Sequence, residues 1–202
     1  MNRQGQSCSS TSRVLVHKDL HHEVLKEMKR LAENLPVGLP WLEKNELGPI
    51  VSEIQYKKIL NYISSAKNEG ADLITGVEIP KEKELQNGFF IQPTIFDKVT
   101  MDMKIGKEEI FGPVMSVIDW DDYESMISLA NGIVYGLTAM IVTDNLKLAM
   151  ETAERVEAGY VWINSTGRYL GAPYGGWKQS GFGQEECFDE LLSYTQIKNV
   201  NM

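Results

Sequence analysis

Cysteine, histidine and clustered basic residues are scarce in this sequence of 202 residues, which contains two cysteines and three histidines. Cys8 and Cys187 form no CxxC motif and have no histidine-rich partner set, so a disulfide scaffold or a zinc site is excluded and a reducing compartment is favoured. No stretch approaches the roughly 20 apolar residues of a membrane span, and the first residues show no signal-peptide pattern. We therefore expect a soluble, cytoplasmic protein without a membrane partner.

Basic residues are also outnumbered by acidic ones, 20 to 28, which gives a formal net charge of −8. This balance argues against a nucleic-acid partner, because nucleic acids reward clustered Lys and Arg. Several catalytic signatures are missing: GxGxxG opening a strand–helix turn, a Walker lysine, GxSxG, and the second histidine that would complete HExxH at His22-Glu23. A length of 202 residues is enough for a full hydrophobic core and predicts one domain with an appendage. The apolar fraction of 43% is that of an ordinary soluble globular protein.

Hydrophobic periodicity predicts an α/β fold. In the first half it predicts strands at residues 13–17 and 72–75. It also predicts a helix that is capped by Asp19 and ends at Pro36, and a second helix that Ser52 opens and Gly70 closes. Residues 79–88 are predicted to be a solvated loop, and residues 89–96, around Pro93, an edge or irregular segment.

The second half predicts strands that alternate with helices. The strands are expected at residues 114–118, 137–142 and 160–164, and the helices at residues 121–131 and 145–157. Short connections make this a βαβαβ unit with parallel strands. Such sheets place working loops at the carboxyl ends of their strands, where a glycine-rich loop follows at residues 165–183. A helical turn near residues 185–192 and a strand at residues 194–200 complete the chain.

Cys8 stands among small polar residues, with Gly5-Gln6-Ser7 before it and Ser9-Ser10-Thr11-Ser12 after it. A thiol in such surroundings could be a nucleophile that a substrate carbon approaches closely. A helix opened by Cys8 would favour the thiolate and offer backbone N–H groups to an oxyanion. An inert residue near a frayed end is the alternative, and the local residues do not decide between the two.

A second polar segment, Glu108-Glu109-Ile110-Phe111-Gly112-Pro113, precedes the strand predicted at residue 114. A carboxylate two residues before an aromatic ring could accept hydrogen bonds from sugar hydroxyls beside a stacking face. An acidic turn that enters a strand explains the same residues, and without further context it is the simpler interpretation.

Four blocks, taken together, resemble the aldehyde dehydrogenase family. They are Gly5-Gln6-Ser7-Cys8 with Ser12-Arg13, Gly48-Pro49 with Gln55 and Lys58, Glu109-Ile110-Phe111-Gly112-Pro113, and Pro173-Tyr174-Gly175-Gly176-Trp177-Lys178-Gln179-Ser180-Gly181. The resemblance covers essentially the whole chain and implies a Rossmann-like, mostly parallel sheet flanked by helices, with a C-terminal oligomerisation strand at residues 194–200. The block at Gly48 and the residues around Cys8 look somewhat like the betaine-aldehyde branch.

The resemblance implies oxidation of an aldehyde to a carboxylic acid with NAD or NADP. Cys8 would attack the aldehyde and carry the thiohemiacetal and the thioester. Glu109 would bind the ribose next to the nicotinamide, with Phe111 near the ring. Gln55 and Lys58 would border the cofactor.

The loop at residues 165–177 would line the substrate funnel through Tyr169 and Tyr174. With Trp177, these tyrosines could form an aromatic box for a quaternary ammonium group. Ordinary packing of the three aromatic side chains is the alternative.

In the family, the dinucleotide-binding domain, the general-base glutamate and the oxyanion asparagine precede the cysteine motif, and nothing in this sequence matches them. We therefore expect residues 1–183 to be the catalytic domain, residues 184–202 to be an oligomerisation segment and the NAD-binding domain to be absent. The chain alone would be inactive or nearly so. The expected partners are a small-molecule aldehyde and further copies of the chain, as a homodimer or homotetramer.

Two other hypotheses remain. In one, the chain is a non-catalytic assembly module that associates through an exposed face and its terminal strand. In the other, Cys8 acts with His17 or His22 in a cysteine hydrolase or thiol-transfer protein.

Overall fold

The computed structural model describes residues 2–78, 80 and 82–202, which form two compact units, Met1–Met126 and Ile127–Met202. The helices are α1 (Lys18–Glu33), α2 (Glu53–Glu69), α3 (Lys104–Lys107), α4 (Tyr123–Asn131), α5 (Leu146–Arg155) and α6 (Phe188–Ser193). The strands are β1 (Arg13–His17), β2 (Asp72–Thr75), β3 (Thr94–Asp97), β4 (Val114–Trp120), β5 (Tyr135–Gly136), β6 (Thr138–Ile141), β7 (Tyr160–Ile163) and β8 (Trp177–Lys178). The loop predicted at residues 79–88 includes residues 79 and 81, which lie outside the described residues.

A four-stranded sheet in the order β1-β4-β3-β2 forms the centre of the first unit. Strand β4 pairs in parallel with β1 on one side and β3 on the other, while β2 adds to β3 in the antiparallel sense. The prediction of an α/β fold with a mostly parallel sheet is confirmed.

The core of this sheet lies under helix α1. Val117 and Ile95 are almost completely buried, and Val24, Leu25 and Met28 on one face of α1 pack against their cluster. Each such side chain stabilises the folded state by about 1.5–3 kcal/mol on full burial. The position of α1 is therefore set by its apolar face.

Helix α2 begins and ends as its sequence predicts. The Ser52 hydroxyl oxygen accepts a hydrogen bond from the Gln55 N–H (3.3 Å), and Gly70 ends the helix in the left-handed conformation. Helix α1 differs from its prediction, because its N-cap is His17 rather than Asp19. The His17 ring nitrogen Nδ1 accepts from the Asp19 N–H at 3.3 Å, which places Asp19 inside the first turn.

The segment at residues 89–96 is predicted to be at an edge or irregular. Residues 89–93 are irregular, as predicted, but residues 94–96 belong to a strand that is not at an edge. Strand β3 begins at Thr94, lies between β4 and β2, and is buried at all four of its residues. Pro93 precedes the strand, so its missing N–H is not required in the ladder. The Thr94 N–H donates to Pro113 O at 2.8 Å instead.

The predicted βαβαβ unit forms only in part. Strands β6 and β7 pair in parallel around α5, whereas β4 belongs to the sheet of the first unit. The physical reason is that both edges of β4 already carry ladders, to β1 and to β3. Within the second unit, β5 pairs with β8 in the antiparallel sense.

The predicted strand at residues 194–200 does not form in this chain. Residues after α6 are exposed and have no regular structure. A strand requires a ladder partner, and the described strands give it none. None of the described helices is long and apolar enough to cross a membrane.

Glu69 connects the end of α2 to the start of α3 and makes the stability of the first unit depend on pH. Hydrogen bonds from the Ser65 hydroxyl and from the Lys104 N–H (2.8 Å) lower the pKa of Glu69 below its ordinary value of 4.5. A lowered folded-state pKa stabilises the fold above the ordinary pKa, and this contribution disappears as the pH falls through the folded value.

We therefore expect Glu69→Gln to lower the free energy of unfolding at pH 7 by about 0.5 kcal/mol, a small value because the carboxylate is exposed. The difference from wild type should shrink to nothing as the pH falls below 4.5, as measured by urea unfolding across the pH range. Glu43→Gln, at an exposed turn, serves as the control. An equal effect of Glu69→Gln at low and neutral pH would contradict this assignment.

Candidate active site

Strands β1 and β4 bring two of the sequence blocks to one edge of the sheet. Strand β1 follows the Cys8 segment and β4 follows the Glu109–Pro113 segment, and the strands are parallel neighbours with Arg13 opposite Ser116. Segments that precede adjacent parallel strands lie at the same edge of a sheet. Both blocks thus lie at the amino ends of their strands.

Cys8 is exposed and lies in a turn closed by a hydrogen bond from Ser10 N to Ser7 O (3.0 Å). The helix considered for residues 9–12 does not form. Ser12 O instead accepts from Ser116 N at 2.9 Å, which commits this segment to the β1–β4 ladder. Neither described cysteine is part of a disulfide.

Gly5 allows the cysteine segment to touch the second block. Its φ of 68° is left-handed, and a Cβ atom on Gly5 would overlap the carbonyl oxygen of Gly112. A side chain is thus excluded on two grounds, its backbone conformation and its lack of space. The contact of these two backbones brings the Cys8 and Glu109–Pro113 segments together.

The residues just before Cys8 are also held by the Gly48 block. Gln6 Oε1 accepts a hydrogen bond from Val51 N at 3.0 Å. The Gln4 amide, turned so that both its ends are satisfied, accepts from Gly48 N at 2.7 Å. Three of the four sequence blocks therefore meet in the first unit.

Gln55 holds the Glu109–Pro113 segment from helix α2. Its Nε2 donates to Ile110 O at 3.0 Å and to Phe111 O at 2.8 Å. Phe111 has a left-handed φ of 58°, a conformation that non-glycine residues adopt rarely. The amide nitrogen of Gln55 is thus bound to the protein, and its role at a cofactor stays a prediction.

The two neighbouring glutamates differ in what they contact. Glu108 Oε2 accepts a hydrogen bond from the Tyr62 hydroxyl at 2.9 Å. Glu109 is exposed, and among the described residues its carboxylate has no hydrogen-bond or ion-pair partner. Lys58 is exposed as well, with Nζ 5.7 Å from the centroid of the Tyr62 ring. Glu109 is therefore the acceptor that remains open to a ligand.

The histidines do not gather at Cys8. His17 ends β1, about 13 Å from Arg13 along the strand, and its ring packs edge-on against Trp120. His21 Nε2 lies 2.8 Å from Oδ1 of the buried Asp97. His22 is exposed on α1. The structure gives no support to a cysteine–histidine pair.

In the second unit, the two tyrosines assigned to the substrate funnel differ sharply in exposure. Tyr169 is 69% exposed, whereas Tyr174 is 6% exposed. The Tyr174 ring packs against Tyr160, with centroids 5.4 Å apart, and the guanidinium carbon of Arg168 lies 3.8 Å from its centroid. Both substrate roles stay predictions, with Tyr169 the more accessible residue.

Lys178, in the fourth block, has a structural role that the sequence pattern did not show. Its Nζ donates to O of Asn131, the last residue of α4, at 2.7 Å and to Ile133 O at 3.0 Å, and pairs with Glu157 at 2.5 Å. Ser180 Oγ accepts from Gly136 N at 3.0 Å. Hydrogen bonds and an ion pair from this block thus hold its loop to the end of α4, to β5 and to Glu157.

The contact between Gly5 and Gly112 predicts a strong effect of Gly5→Ala. A left-handed alanine costs about 1–2 kcal/mol, and the overlap with a backbone oxygen adds to it, so we expect a loss of about 2–4 kcal/mol in the free energy of unfolding. Gly70→Ala is the matched control, because Gly70 has a φ of 95° with nothing within 4 Å of its Cβ position.

Chemical denaturation of both variants measures the difference. Equal losses in the two would show that the contact with Gly112 does not constrain Gly5.

A model of the aldehyde dehydrogenase family matches residues 1–200. Aldehyde dehydrogenase tropH of Talaromyces stipitatus is 46% identical over 98% of this chain and 39% of that protein. Betaine aldehyde dehydrogenase of Rhizobium leguminosarum is 43% identical over 97% of this chain and 40% of that protein.

Solved structures show the same relation. An aldehyde dehydrogenase of Mycobacterium tuberculosis complexed with NAD⁺ has a TM-score of 0.92 at 36% identity, over 96% of this chain and 40% of that one. Betaine aldehyde dehydrogenase of Staphylococcus aureus in complex with NAD⁺ has a TM-score of 0.91 at 33% identity, over 95% and 38%. The chain spans about 40% of the length of the curated relatives it matches. Because both the family model and these relatives match it along nearly its whole length, the chain belongs to the aldehyde dehydrogenase family.

Proposed function

We propose that this chain carries the nucleophile and the nicotinamide-side loop of an NAD(P)-dependent enzyme that oxidises an aldehyde to a carboxylic acid. The observation that carries the proposal is the backbone contact of Gly5 with Gly112. This contact puts the exposed Cys8 segment beside the segment that bears Glu109 and Phe111.

The described residues fit a nicotinamide cofactor on this side. Glu109 offers an exposed carboxylate that has no partner among the residues the structure describes, which suits ribose hydroxyls, and the half-buried Phe111 ring follows two residues later. Lys58 adds an exposed cation on α2, while Gln55 fixes the backbone of the segment. When bound, NAD(P)⁺ supplies the two-electron oxidant that takes hydride from the substrate carbon.

Cys8 performs the covalent part of the proposed reaction. Its sulfur, as the thiolate, bonds to the aldehyde carbon, and the carbonyl electron pair moves to oxygen to give a thiohemiacetal. After oxidation the same sulfur holds the acyl group as a thioester. Water adds to the thioester carbon, the carbon–sulfur bond breaks, and carboxylate leaves with the thiolate restored.

The 202 residues alone should complete only part of this cycle. In the family, the general-base glutamate and the oxyanion asparagine precede the cysteine motif, and no residue of this sequence matches them. Glu109 does not replace the base, because we assign it to the cofactor. A cytoplasmic location is proposed with this function, supported by the two cysteines and their lack of a CxxC pattern.

The direct test is acylation of Cys8. We expect an activated ester such as p-nitrophenyl acetate to leave a stable acetyl group on Cys8, located by peptide mass spectrometry, because attack needs only the sulfur while release needs the base. Cys8→Ala should abolish the adduct and Cys187→Ala should retain it. The same preparation should form no NAD(P)H from aldehydes.

Two results would count against the proposal. Acetylation that survives in Cys8→Ala would show that Cys8 is not the residue that attacks the ester. Sustained aldehyde-dependent NAD(P)H formation by the 202-residue chain would show that these residues supply a general base of their own, contrary to the proposal.

A second candidate, assembly with further chains, is favoured by exposed apolar residues. Ile197 is 102% exposed, and Tyr194 and Val200 are 82% and 72% exposed. Large apolar side chains that are exposed to water this close together in the sequence are typical of a surface that another chain covers. We propose that residues 194–202 associate with a second copy of the chain, as a dimer or tetramer.

Ile197→Asp should weaken this association at least about tenfold, because a charge would enter the buried surface. Gln196→Asp introduces the same charge at the neighbouring exposed residue and should have a smaller effect. Sedimentation equilibrium measures both variants. A wild-type chain that stays monomeric at high concentration would exclude self-association through this segment.

A further inference from the structure

Arg168 occupies the face of an aromatic side chain in the second unit. Its guanidinium carbon lies 3.8 Å from the centroid of the Tyr174 ring, and NH2 lies 2.9 Å from Glu186 Oε1. The Arg168 side chain is 43% exposed, whereas Tyr174 beneath it is 6% exposed. The arginine therefore covers this ring and is itself accessible to solvent.

The backbone on both sides of Arg168 is held in place. Gly167 O accepts a hydrogen bond from Trp162 Nε1 at 2.8 Å, and the Tyr169 N–H donates to the Tyr160 hydroxyl at 3.4 Å.

The ring side is held as well. Tyr174 and Glu185 exchange two backbone hydrogen bonds, of 3.0 and 2.7 Å, and the residue after Glu185 is the ion-pair partner of Arg168. The cation and the ring are thus fixed against each other by the fold of the loop.

We propose that the Arg168 guanidinium occupies the face of Tyr174 to which a free cation would otherwise bind. Arg168 thereby determines substrate specificity, because it excludes aldehydes that carry a quaternary ammonium group from this face. This rests on the proposed function in one respect, namely the substrate role that the family resemblance predicts for the loop at residues 165–177.

The physical reason is competition. An aromatic face attracts one cation at a time through its quadrupole. A cation on the same chain has an effective concentration in the millimolar range or above, and its Glu186 partner adds to its retention. A free ammonium group must displace it and then leave Glu186 without its ion pair. Neutral or anionic aldehydes do not compete for this face.

The test uses tetramethylammonium chloride as the probe and the full chain as the protein, with binding followed by saturation-transfer NMR of the probe's methyl signal. We expect the probe to bind Arg168→Gln at least about tenfold more tightly than wild type, because removal of the guanidinium opens the ring. Arg168→Lys keeps a cation on the chain and should bind less than Arg168→Gln. Adding Tyr174→Leu to Arg168→Gln should abolish the gain.

A measurement on wild type covers the case in which Arg168→Gln does not fold. The ring current of Tyr174 should shift the Arg168 side-chain NMR signals, and these should not move when the probe is added. Displacement of those signals, or equal probe binding by wild type and Arg168→Gln, overturns the proposal. Cys8→Ala should leave all these results unchanged, so failure at Arg168 is distinguishable from failure of the dehydrogenase proposal.

Discussion

The parallel ladder between β1 and β4 is the constraint on which the candidate active site depends. Both motif segments enter this ladder directly, one before Arg13 and one before Val114. Val16 and Val117 bury the ladder on the core side, and a slip of one residue would turn such side chains away from the core. The burial of two strands therefore fixes the position of the Cys8 segment, although Cys8 is itself exposed.

Local patterns predicted most of the helices and strands, because capping and periodicity act over a few residues. Ser52 and Gly70 bound α2 as expected, and β1 and β2 have their predicted limits. The sheet that contains β4 could not be found in this way, since periodicity identifies a strand without naming its partners. The segment at residues 194–200 shows the same limit, because its strand pattern finds no partner among the described strands.

At the site, motif recognition selected Cys8, Glu109 and Phe111, and the structure brings their segments together. Motif recognition did not predict the contact of Gln6, because its side-chain amide reaches a backbone N–H 45 residues away. The reach of Gln55 to two carbonyls more than 50 residues away was equally hidden. Both contacts depend on tertiary packing, and a glutamine carries no local sign of its target. The contacts of Arg168 were not predicted for a related reason, since the pattern of the loop at residues 165–177 indicates a role for aromatic residues alone.

The environment of Lys178 explains why lysine suits that position. An ammonium group has three N–H donors, and here three acceptors converge on it: two carbonyl oxygens at the end of α4 and just beyond it, and the Glu157 carboxylate. Its donor capacity is saturated by the protein. The planar fork of an arginine would direct its donors away from so compact a set. A side-chain nitrogen held in this way is a poor target for acylating reagents, because at least one of its three contacts must be lost before the nitrogen can form a new bond. Lys178, the lysine of the fourth sequence block, thus connects elements of the fold and reacts poorly with such reagents.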